Sequence, residues 1–132
     1  MLKFKFLLWA LTKLLQKAIK NKPGCANYVK GKQLIFQIQT HDGIGRYFTK
    51  KNGKIESSAG VTRNPQFTLS FRDAAKGFAI LSAKDSKDAF LTGLRKEDLI
   101  VSGDFVEVMW FQGLTEYLQP GKKQHNPADA LM

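Results

Sequence analysis

Residues 67–71, Phe67-Thr68-Leu69-Ser70-Phe71, put three apolar side chains on one face and two hydroxyls on the other. A period of two over this length is the mark of a strand with one covered face. The run passes directly into helical sequence, so a strand here hands over to helices rather than to another hairpin.

Upstream, Leu34-Ile35-Phe36-Gln37-Ile38-Gln39-Thr40 alternates well enough for a strand with one wet face. His41-Asp42-Gly43 reads as a turn, and Arg46-Tyr47-Phe48-Thr49 as a second strand. Lys51-Asn52-Gly53 is the strongest hairpin signal, because Asn-Gly accepts positive φ at both central positions. Gly53 to Ser58 supplies a third strand. Residues 34–58 are therefore expected to form an antiparallel meander, with 67–71 as the fourth strand.

Downstream, a helix is expected over about Asp73–Ala83, with Ser70 and Asp73 spaced as a capping-box variant. It presents Ala75, Phe78, Ala79 and Leu81. A second helix begins near Ser86 and carries Ala89, Phe90 and Leu91. Leu99-Ile100-Val101 is a fifth strand. Asp104 and Glu107 form an N-cap and N3 pair that opens a last helix, about Phe105–Leu118, ending before Pro120-Gly121. Phe105, Val106, Val108, Met109, Trp110, Phe111, Leu114, Tyr117 and Leu118 are spread around nearly its whole circumference. Such a helix must be covered on more than one face. The sheet covers one, which leaves a neighbouring helix, a partner chain or a ligand for the other.

The N-terminal segment has a different character. Phe4, Leu7, Leu8, Leu11, Leu14, Leu15, Ala18 and Ile19 fall on one arc of a helix over residues 2–20, with Lys5, Lys13, Lys17 and Lys20 opposite. Pro23-Gly24 is expected to end it. Phe6 and Trp9 project onto the lysine side. The uncharged run from Phe6 to Thr12 is far shorter than the ~20 residues of a membrane span. Lys13 and Lys17 interrupt the apolar core that a signal peptide needs.

The net charge of +10 is localised in the same region. Residues 1–41 hold eight lysines and no acid, while residues 42–132 carry a balance of +2. A hydrophobic content of 43% with only 4 prolines excludes a disordered basic tail. The 132 residues suit one domain with a real core. One cysteine, Cys25, excludes an internal disulfide. The charge invites a nucleic-acid reading, but no reading motif accompanies it, and the lysines lie on a helix rich in apolar residues.

Catalytic and metal-binding patterns are missing. The two histidines, His41 and His125, lie in a turn and in the C-terminal tail, and no cysteine pair has metal spacing. Gly43-x-Gly45 belongs to a hairpin, not to a phosphate loop. Ser57-Ser58 has no fitting histidine. Asp85, Asp88, Glu97 and Asp98 are read as solvated caps and loop acids. The expected protein is a binder without cofactor or metal, and not an enzyme.

The order of elements resembles the sterol carrier protein family, the non-specific lipid-transfer fold. The likeness rests on Phe67–Phe71, then Asp88-Ala89-Phe90-Leu91-Thr92-Gly93, then Leu99-Ile100-Val101-Ser102-Gly103-Asp104, then the apolar helix with Leu114 and Leu118. It covers about residues 28–119. Family members run from the glycine almost directly into the following strand, whereas Leu94-Arg95-Lys96-Glu97-Asp98 lengthens that link here. Peroxisomal members end in Ser-Lys-Leu or similar, and this chain ends Ala130-Leu131-Met132.

The resemblance implies an α+β fold: a five-stranded, mostly antiparallel sheet with helices on one face enclosing an apolar cavity. The organisation expected is a basic amphipathic helix at 1–22, a lipid-binding domain at 28–119 and a flexible tail at 120–132. Phe78, Leu81, Phe90, Phe105, Met109 and Trp110 are the expected lining of the cavity, since methionine and aromatic side chains suit an adaptable pocket. Phe6 and Trp9, with Lys13, Lys17 and Lys20, are the expected contacts to an anionic membrane. The function expected is binding and transfer of an acyl, sterol-like or isoprenoid lipid by a cytoplasmic protein with peripheral membrane contact. The alternative is an accessory lipid-binding factor presenting quinone-type intermediates to a biosynthetic complex. A second copy of the chain is a further candidate partner.

Overall fold

In the computed structural model, residues 2–118 are described. The 120–132 tail and His125 lie outside them. The first helix, α1, spans Leu2–Asn21 and is followed at once by a short helix α2, Pro23–Val29. Pro23 thus ends one helix by opening the next. Its ring suits the first helical position, where the missing N–H has no partner to lose. The meander follows as β1 (Leu34–Thr40), β2 (Gly45–Lys51) and β3 (Lys54–Ala59). Asn52 and Gly53 sit at φ of 51° and 77°, as the two-residue hairpin requires.

Strand β4 (Phe67–Phe71) lies beside β1 and parallel to it, and β5 (Leu99–Gly103) closes the far edge. The order is β3-β2-β1-β4-β5, with every other pairing antiparallel. The link from β3 to β4 is held by Gln37, whose side chain accepts from the Thr62 N–H at 2.8 Å and donates to Thr68 at 3.0 Å. These bonds lie on the face of the sheet away from the helices.

The helical face is built on phenylalanine. Register sets Phe36 between Phe48 and Phe67. Its ring stacks on theirs at 4.9 and 5.0 Å, and Phe111 packs over it at 5.0 Å. Phe111 belongs to α5, Phe105–Thr115, which continues as a short 3₁₀ turn over Glu116–Leu118. Under α5 the space between sheet and helices is therefore filled with rings.

Two further helices complete this layer, α3 (Ala74–Leu81) and α4 (Ser86–Arg95). The cap of α3 differs from the expected one. Asp73 is the N-cap and accepts from the Lys76 N–H at 2.8 Å, while Ser70 stays in β4, because the strand runs on to Phe71. The lengthened link after α4 is a helix end. Glu97 adopts φ of 61°, its N–H bonds the Leu94 carbonyl, and the Asp98 N–H reaches the Gly93 carbonyl at 2.9 Å. This is the Schellman pattern with glutamate where glycine is usual. Asp98 is not a solvated acid: it is 8% exposed and pairs with Arg72 at 3.3 Å and Lys76 at 3.8 Å. Asp85 does act as a cap, accepting from the Asp88 N–H.

Helix α1 is set into the same core. Phe4, Leu8, Leu11, Leu15 and Ala18 are buried with the sheet's phenylalanines. Phe4 meets Phe71 edge-on at 6.3 Å. Gly77 of α3 permits this approach, since a Cβ there would stand 2.5 Å from the Phe4 ring. Thr12 bonds Ser57 at 2.8 Å, and Gln16 donates to the Ile55 carbonyl at 2.8 Å, so α1 also closes over the edge strand β3.

Candidate functional site

Strand β2 turns Phe48 toward the helices, and a period of two then turns Lys50 the same way. Lys50 lies opposite Leu34 of β1 and Ile55 of β3. It is 1% exposed. Its ammonium has one hydrogen bond, to the Lys32 carbonyl at 3.3 Å, and no carboxylate partner among the described residues. Burial pushes its pKa below the ordinary lysine value.

Lys50 lines an open pocket of about 700 Å³ at the hairpin end of the sheet. Helix α1 supplies Gln16, Ile19 and Lys20; α2 and the residues after it supply Ala26, Val29, Lys30 and Gly31. The hairpin supplies Gly53, Lys54, Ile55 and Glu56. Ile19, Ala26, Val29 and Ile55 give the walls their apolar character. Four lysines and a single carboxylate share the lining. The volume lies within the range usual for small-molecule sites.

None of the expected cavity residues lines this pocket, and they do not form one group. Phe90 is buried and shares with Leu81 a void of about 10 Å³, too small for a ligand. Leu81 also borders a second pocket of about 150 Å³, where Leu7, Leu11 and Leu14 of α1 meet Thr115 and Leu118. Phe78 and Phe105 point outward, 43% and 51% exposed. Met109 and Trp110 are half-buried, Trp110 beside α2. Trp110 stacks on Tyr28 at 6.0 Å, and the Lys32 ammonium lies 5.4 Å from its ring. Tyr28 donates to the Trp110 carbonyl at 2.7 Å, and Lys32 pairs with Glu107 at 2.5 Å. The Trp110 indole N–H is buried without an acceptor among the described residues. Helices α2 and α4 both cover α5, while Phe105 and Val106 at its start stay exposed.

The other expected set does come together. Phe6 and Trp9 are 66% and 47% exposed, with ring centroids 5.7 Å apart. Lys13 lies 5.9 Å over the Trp9 ring. Lys17 and Lys20 are exposed on the same side of α1. Lys20 belongs both to this face and to the pocket lining.

Sequence reasoning missed Lys50, Ile19, Val29 and Ile55 as lining residues. A signal for Lys50 was present, since alternation from Phe48 makes it face the core. No signal marked α2, which forms one wall.

Burial raises the Cys25 thiol pKa, only partly offset by the nearby Lys22, so the thiolate is disfavoured. Among the described residues no group of acids, histidines and cysteines can hold a metal, and no helix is long and apolar enough to cross a membrane.

No protein-family model matches the sequence, and no curated protein matches it. Solved structures do. A structure described as a UbiJ-SCP2 ubiquinone synthesis protein aligns over 86% of this chain and 92% of its own, with 14% identity and a TM-score of 0.63. Sterol carrier protein 2 aligns over 84% of this chain and 95% of its own, with 10% identity and a TM-score of 0.58. The sterol carrier protein domain of Helicoverpa armigera aligns over 89% and 92%, with 17% identity and a TM-score of 0.58. At these identities the likeness establishes the fold, which is of the sterol carrier protein 2 type.

Proposed function

We propose that this protein binds and carries a lipid with a long apolar chain, fatty acyl, sterol-like or isoprenoid, without acting on it chemically. The observation that carries the reading is the open, apolar-walled pocket of about 700 Å³ on a sterol-carrier-type fold. Burial of a chain of roughly 16 carbons offers on the order of 10 kcal/mol of desolvation, before ordering and association costs are subtracted. Native mass spectrometry and lipid extraction of the purified protein test it. Co-purified lipid, or displacement of a fluorescent fatty acid, is the expected result; a ligand-free protein that displaces nothing overturns it.

The basic face of α1 supplies the docking side of the same reading. Lys13, Lys17 and Lys20 attract an anionic surface, while Phe6 and Trp9 enter it at headgroup level. Liposome flotation is expected to need anionic lipid and to weaken with salt. Flotation unchanged in Phe6→Ala/Trp9→Ala protein counts against it.

A second reading makes the protein an accessory factor that presents a quinone-type intermediate to a biosynthetic enzyme. It is supported by the structural likeness to the ubiquinone synthesis protein over nearly the whole of both chains. The exposed apolar corner formed by Phe105 and Val106 offers a partner surface. Loss of quinone in a deletion strain, with co-purification of the enzymes, favours this reading over bulk lipid transfer.

A further inference from the structure

The two edges of the sheet are finished differently. At the β3 edge, Gln16 of α1 donates to the Ile55 carbonyl, Thr12 bonds Ser57, and the strand carries Lys54 and Glu56. A covered and charged edge resists the addition of another strand. The β5 edge has neither device. Leu99-Ile100-Val101-Ser102-Gly103 contains no charge and no proline, and no helix or loop bonds along its outer side among the described residues.

The ladder to β4 fixes which backbone groups of β5 are free. The Arg72 N–H bonds the Asp98 carbonyl and the Asp104 N–H bonds the Gln66 carbonyl, both at 2.8 Å. Ser70 lies opposite Ile100 and Thr68 opposite Ser102, so alternation turns the backbone of Asp98, Ile100, Ser102 and Asp104 toward β4. The N–H and C=O groups of Leu99, Val101 and Gly103 therefore point out of the sheet, and they have no hydrogen-bond partner among the described residues. Ile100 stands on the sheet face away from the helices and is 48% exposed, so an apolar side chain accompanies the open edge.

From this edge we infer that β5 pairs antiparallel with β5 of a second copy of the chain, joining the two sheets into one continuous sheet. The strand is complementary to itself in this direction. With Ile100 on the two-fold axis, Leu99 of each chain faces Val101 of the other, and each such pair exchanges both of its N–H···O bonds. The two Ile100 side chains meet as the close, non-hydrogen-bonded cross-strand pair. Charge favours the same direction. Arg95 and Lys96, against Glu97, lead into the strand and Asp104 follows it, so the net basic end of each strand lies by the acidic end of the other. A parallel pairing sets like ends together. The two-fold arrangement also closes, because each copy spends its open edge on the other and growth stops at the dimer. This interface goes beyond the lipid-binding reading and does not depend on it.

The test is the oligomeric state of the full chain, read by sedimentation equilibrium over a dilution series. Wild type is expected to dimerise reversibly. Ile100→Lys and Ile100→Glu each set two like charges face to face on the axis, and each is expected to raise the dimer dissociation constant by at least about tenfold. Since Ile100 lies at the surface, both variants are expected to keep the wild-type circular dichroism spectrum. An equimolar mixture of the two is expected to restore the dimer, because lysine then faces glutamate; a folding defect is not repaired in this way. Ser58→Lys, on the opposite edge of the sheet, is expected to leave the dimer unchanged. Wild type that stays monomeric at every concentration overturns the inference. A dimer that survives both Ile100 variants, or one that is lost in Ser58→Lys, overturns the assignment to β5. Failure of the mixture to restore the dimer overturns the pairing about Ile100.

Discussion

The two ends of the helical layer solve the same packing problem differently. Toward α4 and α5 the space over the sheet is closed: Phe36, Phe48, Phe67 and Phe111 touch ring to ring, and the residual void beside Phe90 is about 10 Å³. Toward the β2–β3 hairpin the layer is open, with about 700 Å³ between α1, α2 and the strands. The closed end is lined by bulky aromatic side chains in register. The open end is lined by Ile19, Ala26, Val29 and Ile55, whose smaller side chains do not bridge the gap. Stability belongs to the first region and the proposed recognition to the second. Charge separates them too, since no lysine lies among the stacked rings and four lie around the pocket.

The contrast is broken most severely at the closed end. Phe36→Ala removes the central ring of the stack and is expected to cost about 3–5 kcal/mol in chemical denaturation. A loss below about 1 kcal/mol contradicts the division of labour. At the open end, Ala26→Trp fills space instead of creating it. It is expected to weaken fluorescent fatty-acid binding more than about tenfold, with stability changed by less than about 1 kcal/mol.

Lys50→Met sharpens the comparison from the side of charge. A folded-state pKa below the unfolded value means that stability rises with pH toward the ordinary lysine range and falls as pH drops through the lowered value. At neutral pH the lysine is therefore a cost, and Lys50→Met is expected to raise stability by about 1–2 kcal/mol. Unchanged stability in denaturant titrations argues that the ammonium is well solvated.

Tyr28, where α2 meets α5, gives the opposite pH dependence. Burial first, then Tyr117, Glu116 and Cys25, raise its pKa to about 12. The fold is unaffected by this group below the ordinary tyrosine pKa near 10 and loses stability as pH rises from about 10 to about 12. Tyr28→Phe is expected to flatten that decline in alkaline titrations. The smallest effect is at the end of α4. Glu97 holds φ of 61°, so Glu97→Gly relieves a left-handed residue. A gain of about 0.5–1 kcal/mol is expected, read as a higher denaturation midpoint, with ligand binding unchanged.

Much of this architecture was legible locally. Alternation in Phe67–Phe71 and Leu34–Thr40, the Asn52-Gly53 turn and the Asp104 cap each have a short-range physical cause, and each appears where it was expected. Elsewhere the local reading ran out. The Ser70 cap was displaced by strand length. Asp98 looked like a solvated acid until Arg72 and Lys76 closed on it. Phe78 and Phe105 carry aromatic side chains suited to a cavity, yet their helices turn them outward. The exposed face of α1 was legible, because helical periodicity alone places Phe6 and Trp9 among the lysines.

By itself, then, the sequence determined every element except α2, the apolar stripe of α1 and the placement of the excess charge, since these follow from periodicity and turn chemistry within a few residues. Tertiary structure alone decided where the open space lies. That space depends on how α1 and α2 seat against the hairpin, contacts between residues far apart in the chain. The same seating made Lys50, an ordinary lysine in a strand, a buried ammonium bonded to the Lys32 carbonyl.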